Sequence, residues 1–133
     1  MRDDIRGAEA TALFFLEQYA IMYQTGDTEL WQSLSLDPCT YCGSALEGAQ
    51  DLHADGKGVK GGEIVPRDSS VFAQMGPDGE VYVEMEATAR DGYTVQPDGS
   101  EELTAPGTAS DITMELHLVE GEWRVDGVNV ESR

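Results

Sequence analysis

Residues 80–89 read EVYVEMEATA, and this alternation decides the architecture. Val81, Val83, Met85, Ala87 and Ala89 share one parity; Tyr82, Glu84, Glu86 and Thr88 share the other. A period of two puts each set on its own face of a strand. One face is apolar and the other wet, as in an antiparallel sheet covered on one side only.

Working outward, residues 110–119, SDITMELHLV, repeat the pattern with Ile112, Met114, Leu116 and Leu118. The segments GPDGE (76–80), QPDGS (96–100) and EGE (120–122) carry turn chemistry between such runs. After the last of them Trp123 and Val125 share one face, whereas Val128 and Val130 fall on the other parity. That switch predicts a bulge at Asp126–Gly127. An earlier strand is expected through EIVPRDSSVFAQM (63–75), broken or at an edge because Pro66 lacks a ladder donor.

The N-terminal half has a helical period instead. Ala12, Phe15, Leu16, Tyr19, Met22 and Tyr23 form one stripe over residues 7–25, and Gly26 stands where a helix stops. Asp27 reads as the cap of a short second helix with Leu30, Trp31 and Leu34 inward. Asp37 and Pro38 read as cap and first-turn proline of a third, with Ala45, Leu46, Ala49 and Leu52 as its stripe. The fold class is therefore α+β. Three N-terminal helices pack on the apolar face of a curved, four-stranded antiparallel meander. Residues 7–131 form a single domain, and residues 1–6 are a disordered or expression-derived tail.

The order of elements, with YQTGDTELWQSL (23–34) joining the first two helices, resembles the cone-shaped nuclear-transport-factor-2-like fold. The segments TGDT (25–28), DPCTYC (37–42), LHADGKGVKGGE (52–63) and EWRVDGVNV (122–130) also resemble a family of actinobacterial lipoproteins and secreted proteins over nearly the whole chain. The cysteine pair and the glycine-rich exit from the third helix are the more specific of these. The resemblance implies a fold and an extracytoplasmic compartment. Membrane attachment would come only through a lipidated segment upstream of this sequence. It implies no activity. Members of the broad fold pair through the open sheet face, so a homodimer is an expectation, with the acidic residues of that face counting against it.

Composition excludes several partners. The 133 residues carry 26 acidic and 8 basic side chains, a formal charge of −18. Nucleic acid and anionic membrane surfaces need the opposite balance. No apolar run approaches the length of a membrane span. The start, MRDDIRGAE, lacks the apolar core of a secretory signal. A cytosolic protein and one that begins downstream of a removed signal both fit that start.

Cys39 and Cys42 are the two cysteines, in C-x-x-C spacing. A structural disulfide is the preferred reading; it needs only an oxidising compartment. A redox pair would gain from the helix start, but no basic neighbour favours a thiolate and no strand leads into the motif. Zinc would need His53 and His117, whose spacing matches no finger. No metal or other cofactor is expected.

His53 ends the third helix and has two readings. It is a half-exposed helix-end residue suited to the dipole, or the general base of a cavity, as in isomerases and polyketide cyclases of this broad fold. The former is preferred. His117 has outer parity beside Glu115. The carboxylates Glu84, Glu86 and Glu115 share that wet face. Tyr19, Tyr23, Trp31, His53, Met85 and Met114 are the candidates to line an apolar pocket. The expected function is a non-catalytic extracytoplasmic domain binding a small apolar ligand or a protein partner; the alternative is a small isomerase- or cyclase-like enzyme using His53 or a cavity carboxylate.

Overall fold

The computed structural model describes residues 4–132. Helix α1 spans Ile5–Thr25, α2 Glu29–Leu34 and α3 Thr40–Ala54. Eight strands follow among the described residues: β1 Gly58–Gly61, β2 Ile64–Pro66, β3 Phe72–Met75, β4 Val81–Ala89, β5 Gly92–Val95, β6 Glu101–Ala105, β7 Thr108–Val119 and β8 Glu122–Ser132. The fold is α+β with antiparallel sheets throughout.

Helix α1 begins two residues before the expected position 7. The carboxylate of Asp4 accepts from the Gly7 N–H at 2.9 Å and satisfies a first-turn donor. Residues 5 and 6 thus belong to the helix, with Asp4 as its cap; residues 1–3 lie outside the described residues. Gly26 closes the helix in the left-handed region, φ 80°, its N–H donating to the Met22 carbonyl. Asp27 does not cap α2 as expected. Its side chain accepts from the Glu29 N–H in a turn, and Thr28 occupies the cap position. Leu30 is half exposed, whereas Trp31 and Leu34 are buried. The third helix also starts later than Asp37 and Pro38, which form a turn. Cys39 caps it, its sulfur accepting from the Cys42 N–H at 3.2 Å.

The expected four-strand path is present as β2–β4–β7–β8, with β3 alongside β2 on the same edge of β4. Pro66 ends β2, and a single 3-10 turn at Asp68–Ser70 separates it from β3. The predicted bulge is also there. Glu115 pairs with Gly127 and Leu116 with Val125, leaving Asp126 as the extra residue. A second, three-stranded sheet, β1–β5–β6, was not expected. Its strands hold four or five residues, rich in glycine and charge (GVKG, GYTV, EELTA), and give no period-two signal. The chain passes from one sheet to the other at Gly61 and Gly62, φ 75° and 80°. A side chain at Gly61 would collide with the Asp91 carbonyl oxygen at 2.3 Å.

The core fills the space between the helices and the main sheet. Phe15 stacks on Trp31 with ring centroids 3.8 Å apart. Trp31 donates its Nε1–H to the Cys42 carbonyl at 2.9 Å. Val81, Val83, Met85 and Ala87 of β4 meet Ile112, Met114 and Leu116 of β7, with Trp123 and Val125 of β8, all buried. The alternation that opens the sequence reading is thus the apolar floor of the domain.

Candidate functional site

Where the two sheets diverge, α1 and α3 span a gap that side chains do not fill. The wall positions there are small: Gly61, Gly62, Gly92, Ala87, Ala89 and Ala105. Small residues on a concave sheet leave volume that the helices cannot reach. The result is a cavity of about 320 Å³, within the range of small-molecule sites. Ile64, Ile112 and Leu52 add apolar surface, and Tyr19, Tyr23 and Tyr41 line the helical side.

The polar groups of the wall are few. Thr94 and Thr104 share a hydroxyl–hydroxyl hydrogen bond of 2.8 Å across β5 and β6. Tyr19 and Tyr23 lie with ring centroids 5.0 Å apart, and Tyr41 stacks on Tyr19 at 6.2 Å. Burial pushes the Tyr23 phenol up to about 12, reinforced by Tyr19. Burial also raises Tyr19 and Tyr41. All three therefore stay neutral at physiological pH, hydrogen-bonding rather than abstracting protons. Gly48 of α3 makes room for the Tyr23 hydroxyl; a Cβ there would stand 2.4 Å from it. Arg90, just past β4, is the only wall residue among those described with a formal charge at pH 7.

The sequence-expected pocket residues divide. Tyr19 and Tyr23 line the cavity. Trp31, Met85 and Met114 are buried in the core instead. Trp31 is held there by its bond to Cys42, and the two methionines sit on the filled part of the sheet floor. His53 does not face the cavity. Its Nε2–H donates to the Tyr23 carbonyl at 2.7 Å, and its ring packs beneath Gly26, where a Cβ would lie 3.2 Å away. It ties the end of α3 to the end of α1. The small-residue wall and Arg90 were not singled out from the sequence. The LHADGKGVKGGE segment contained the signal, since its paired glycines mark close backbone approach.

The sulfurs of Cys39 and Cys42 are bonded, with Cα atoms 5.2 Å apart, and both residues are 2 % exposed. A bridge so covered is ill placed for exchange with another protein's thiols.

On the opposite, wet face, the bulge brings Asp126 beside His117 and Glu115. His117 Nε2 lies 2.6 Å from Glu115 and 3.5 Å from Asp126. Its hydrogen bond to Glu115 raises the imidazole above its ordinary value, against the opposing effect of burial and with help from Asp126. The same bond holds the Glu115 carboxyl below the usual carboxylate range. Of the three, the sequence reading paired Glu115 and His117 by parity but had no means of adding Asp126. Glu86 forms an ion pair with Arg67 at 2.6 Å.

Solved structures share this architecture at low sequence identity. The intermembrane-space region of the chloroplast protein ARC6 superposes with a TM-score of 0.64 at 11 % identity, covering 98 % of each chain. A protein with a cystatin-like fold from Caulobacter vibrioides gives 0.58 at 12 % identity, over 95 % of this chain and 89 % of that one. A periplasmic fragment of TraM gives 0.54 at 12 % identity, over 94 % and 98 %. These likenesses establish a cystatin-like, nuclear-transport-factor-2-like fold. No curated protein sequence matches the chain. A family model does match, over residues 2–129, and on that evidence the chain belongs to the family of unknown function DUF6318.

Proposed function

We propose that this domain is a non-catalytic binding module that holds a small apolar ligand in the cavity between its two sheets. The observation that carries this reading is the wall itself: about 320 Å³ bounded by glycine, alanine and aliphatic side chains with neutral tyrosine hydroxyls. Such a site offers desolvation and shape, with a few polar groups to set orientation. The described wall holds no carboxylate, imidazole or thiol to move a proton or attack a substrate. The residue considered for that work, His53, is engaged behind the wall.

We further propose an extracytoplasmic setting, in a secreted protein or one anchored at a bacterial surface by a lipidated upstream segment. The bonded cysteines support it, because cytosolic thiols are kept reduced. The periplasmic and intermembrane-space origins of two structural neighbours point the same way. Among the described residues no helix is long and apolar enough to cross a membrane.

The test is titration with N-phenyl-1-naphthylamine, an uncharged fluorescent probe, against the wild type and against Ala89→Phe and Ala105→Phe. Both substitutions fill the cavity from its wall. Saturable binding by the wild type, lost in both variants at unchanged circular dichroism, supports the reading. Equal binding by all three proteins, or no binding by the wild type, overturns it.

A further inference from the structure

Among the described cations, Arg90 is the one that lines the cavity. Lys60, Arg67 and Arg124 each pair with a carboxylate, Glu101, Glu86 and Glu122 respectively. The Arg90 guanidinium, like the head groups of Arg6 and Lys57, has no hydrogen-bond or ion-pair partner among the described residues. What separates Arg90 from those two is its place at the wall of the cavity, where a free guanidinium can meet a bound molecule.

The local carboxylates are turned to other partners. Asp91, next in sequence, accepts from the Gly107 N–H at 2.6 Å. Glu63, whose carbonyl receives the Arg90 N–H at 2.9 Å, has its carboxylate bonded to the Gln24 amide at 3.1 Å. The main chain of Arg90 is thus fixed at the end of β4 while its head stays uncommitted. Arg90 lines the cavity and is at the same time exposed to solvent, as suits a long side chain with an apolar stem and a charged head.

We propose that Arg90 makes this cavity selective for amphipathic monoanions: molecules with an apolar body that fits among Ala87, Ala89 and Ile112, and a carboxylate that meets the guanidinium at the mouth. This rests on the binding reading above and adds the class of ligand. A planar guanidinium receives a carboxylate through two parallel N–H···O bonds, a geometry a lysine cannot supply. The net charge of −18 repels anions at long range, and salt screens that repulsion over about 8–10 Å. Recognition therefore comes from the contact, and the apolar body supplies most of the affinity.

Calorimetric titration with decanoate and decanol, each below its aggregation limit, tests this on the wild type, R90Q and R90K. The wild type is expected to prefer decanoate. R90Q loses about tenfold in decanoate affinity, as expected when a charge-assisted contact at an exposed rim is removed, and keeps its decanol affinity. R90K recovers only part of the loss. If wild type binds both ligands equally, or R90Q keeps the decanoate preference, the inference fails while the cavity reading stands. If neither ligand binds the wild type and the neutral naphthylamine probe also fails, both readings fall together.

Discussion

His53 donates its Nε2–H to the main-chain carbonyl of Tyr23 across 2.7 Å, joining the last turn of α3 to the last turn of α1. The Tyr23 carbonyl is one of the terminal carbonyls of α1 that the helix itself leaves unpaired. The histidine therefore works as an inter-helix cap. Replacing it by alanine removes that bond and opens a gap under Gly26, at a cost of about 1–2 kcal/mol. Urea unfolding of His53→Ala checks this. Affinity for the naphthylamine probe is expected to stay within about twofold, because the ring lies outside the cavity wall. A large loss of binding at preserved stability would return His53 to the site.

Gly26 is the other half of the same joint. Its φ of 80° costs an L-residue about 1 kcal/mol or more. A Cβ would also press on the His53 ring at 3.2 Å. Gly26→Ala is expected to destabilise the domain by about 1–2 kcal/mol. In the His53→Ala background the penalty falls toward the backbone cost alone. A double-mutant cycle in urea measures the difference.

These two residues show how much of the molecule could be read before its coordinates. Gly26 was legible because a helix stop has a local chemical signature. The strands β4, β7 and β8 were legible because burial of one face writes a period of two into eight or more residues. The bulge at Asp126 was legible from a parity switch. Strands β1, β5 and β6 were not, since four or five residues with glycine and charge carry no period, and their pairing is set by tertiary contacts. The cavity shared that opacity. Its wall is defined by what glycine and alanine leave unfilled, and absent volume has no hydropathy. Large residues drew attention instead, and Trp31, Met85 and Met114 proved to be core.

The disulfide makes a modest, separable contribution. Closing so short a ring stabilises by about 2 kcal/mol in the loop-entropy account. Cys39 and Cys42 are each 2 % exposed. The double substitution Cys39→Ser, Cys42→Ser is expected to fold, to lose about 2 kcal/mol in urea and to keep its cavity. In the wild type, dithiothreitol is expected to reduce the bond slowly under native conditions and quickly in denaturant. Rapid native reduction, followed by trapping of a single mixed disulfide, would favour a redox role.

The Glu115–His117 pair gives stability a pH signature. His117 is raised from 6.5 by its bond to Glu115, so its contribution is full below 6.5 and fades as pH rises through the higher folded value. Glu115 is lowered from 4.5 by the same bond, so its contribution is full above 4.5 and fades as pH falls through the lower folded value. The two overlap between 4.5 and 6.5, where the pair is strongest. Asp126, Glu80 and Tyr82 face the same cluster. Partial exposure keeps the gain below about 1 kcal/mol. An NMR titration of His117 is expected to show a midpoint above 6.5, falling on Glu115→Gln. A midpoint unmoved by that substitution would assign the shift to Asp126 and Glu80 instead.

Gly48 offers a way to perturb the cavity with little effect on the fold. It sits inside α3, where alanine is favoured over glycine by about 1 kcal/mol. A Cβ at this site would lie 2.4 Å from the Tyr23 hydroxyl, so the tyrosine must move. The displaced atom is the far end of a side chain that already lines the cavity, and the ring can yield toward that open volume. The helix gain and the displacement cost oppose each other, and Gly48→Ala is expected to change stability by less than about 1 kcal/mol. Ligand space shrinks with no such compensation, so naphthylamine affinity is expected to fall severalfold. The paired variant Gly48→Ala, Tyr23→Phe removes the colliding oxygen and is expected to restore most of the binding. If Gly48→Ala instead unfolds the domain, or binds the probe as the wild type does, the Tyr23 side chain is not the movable wall this geometry describes.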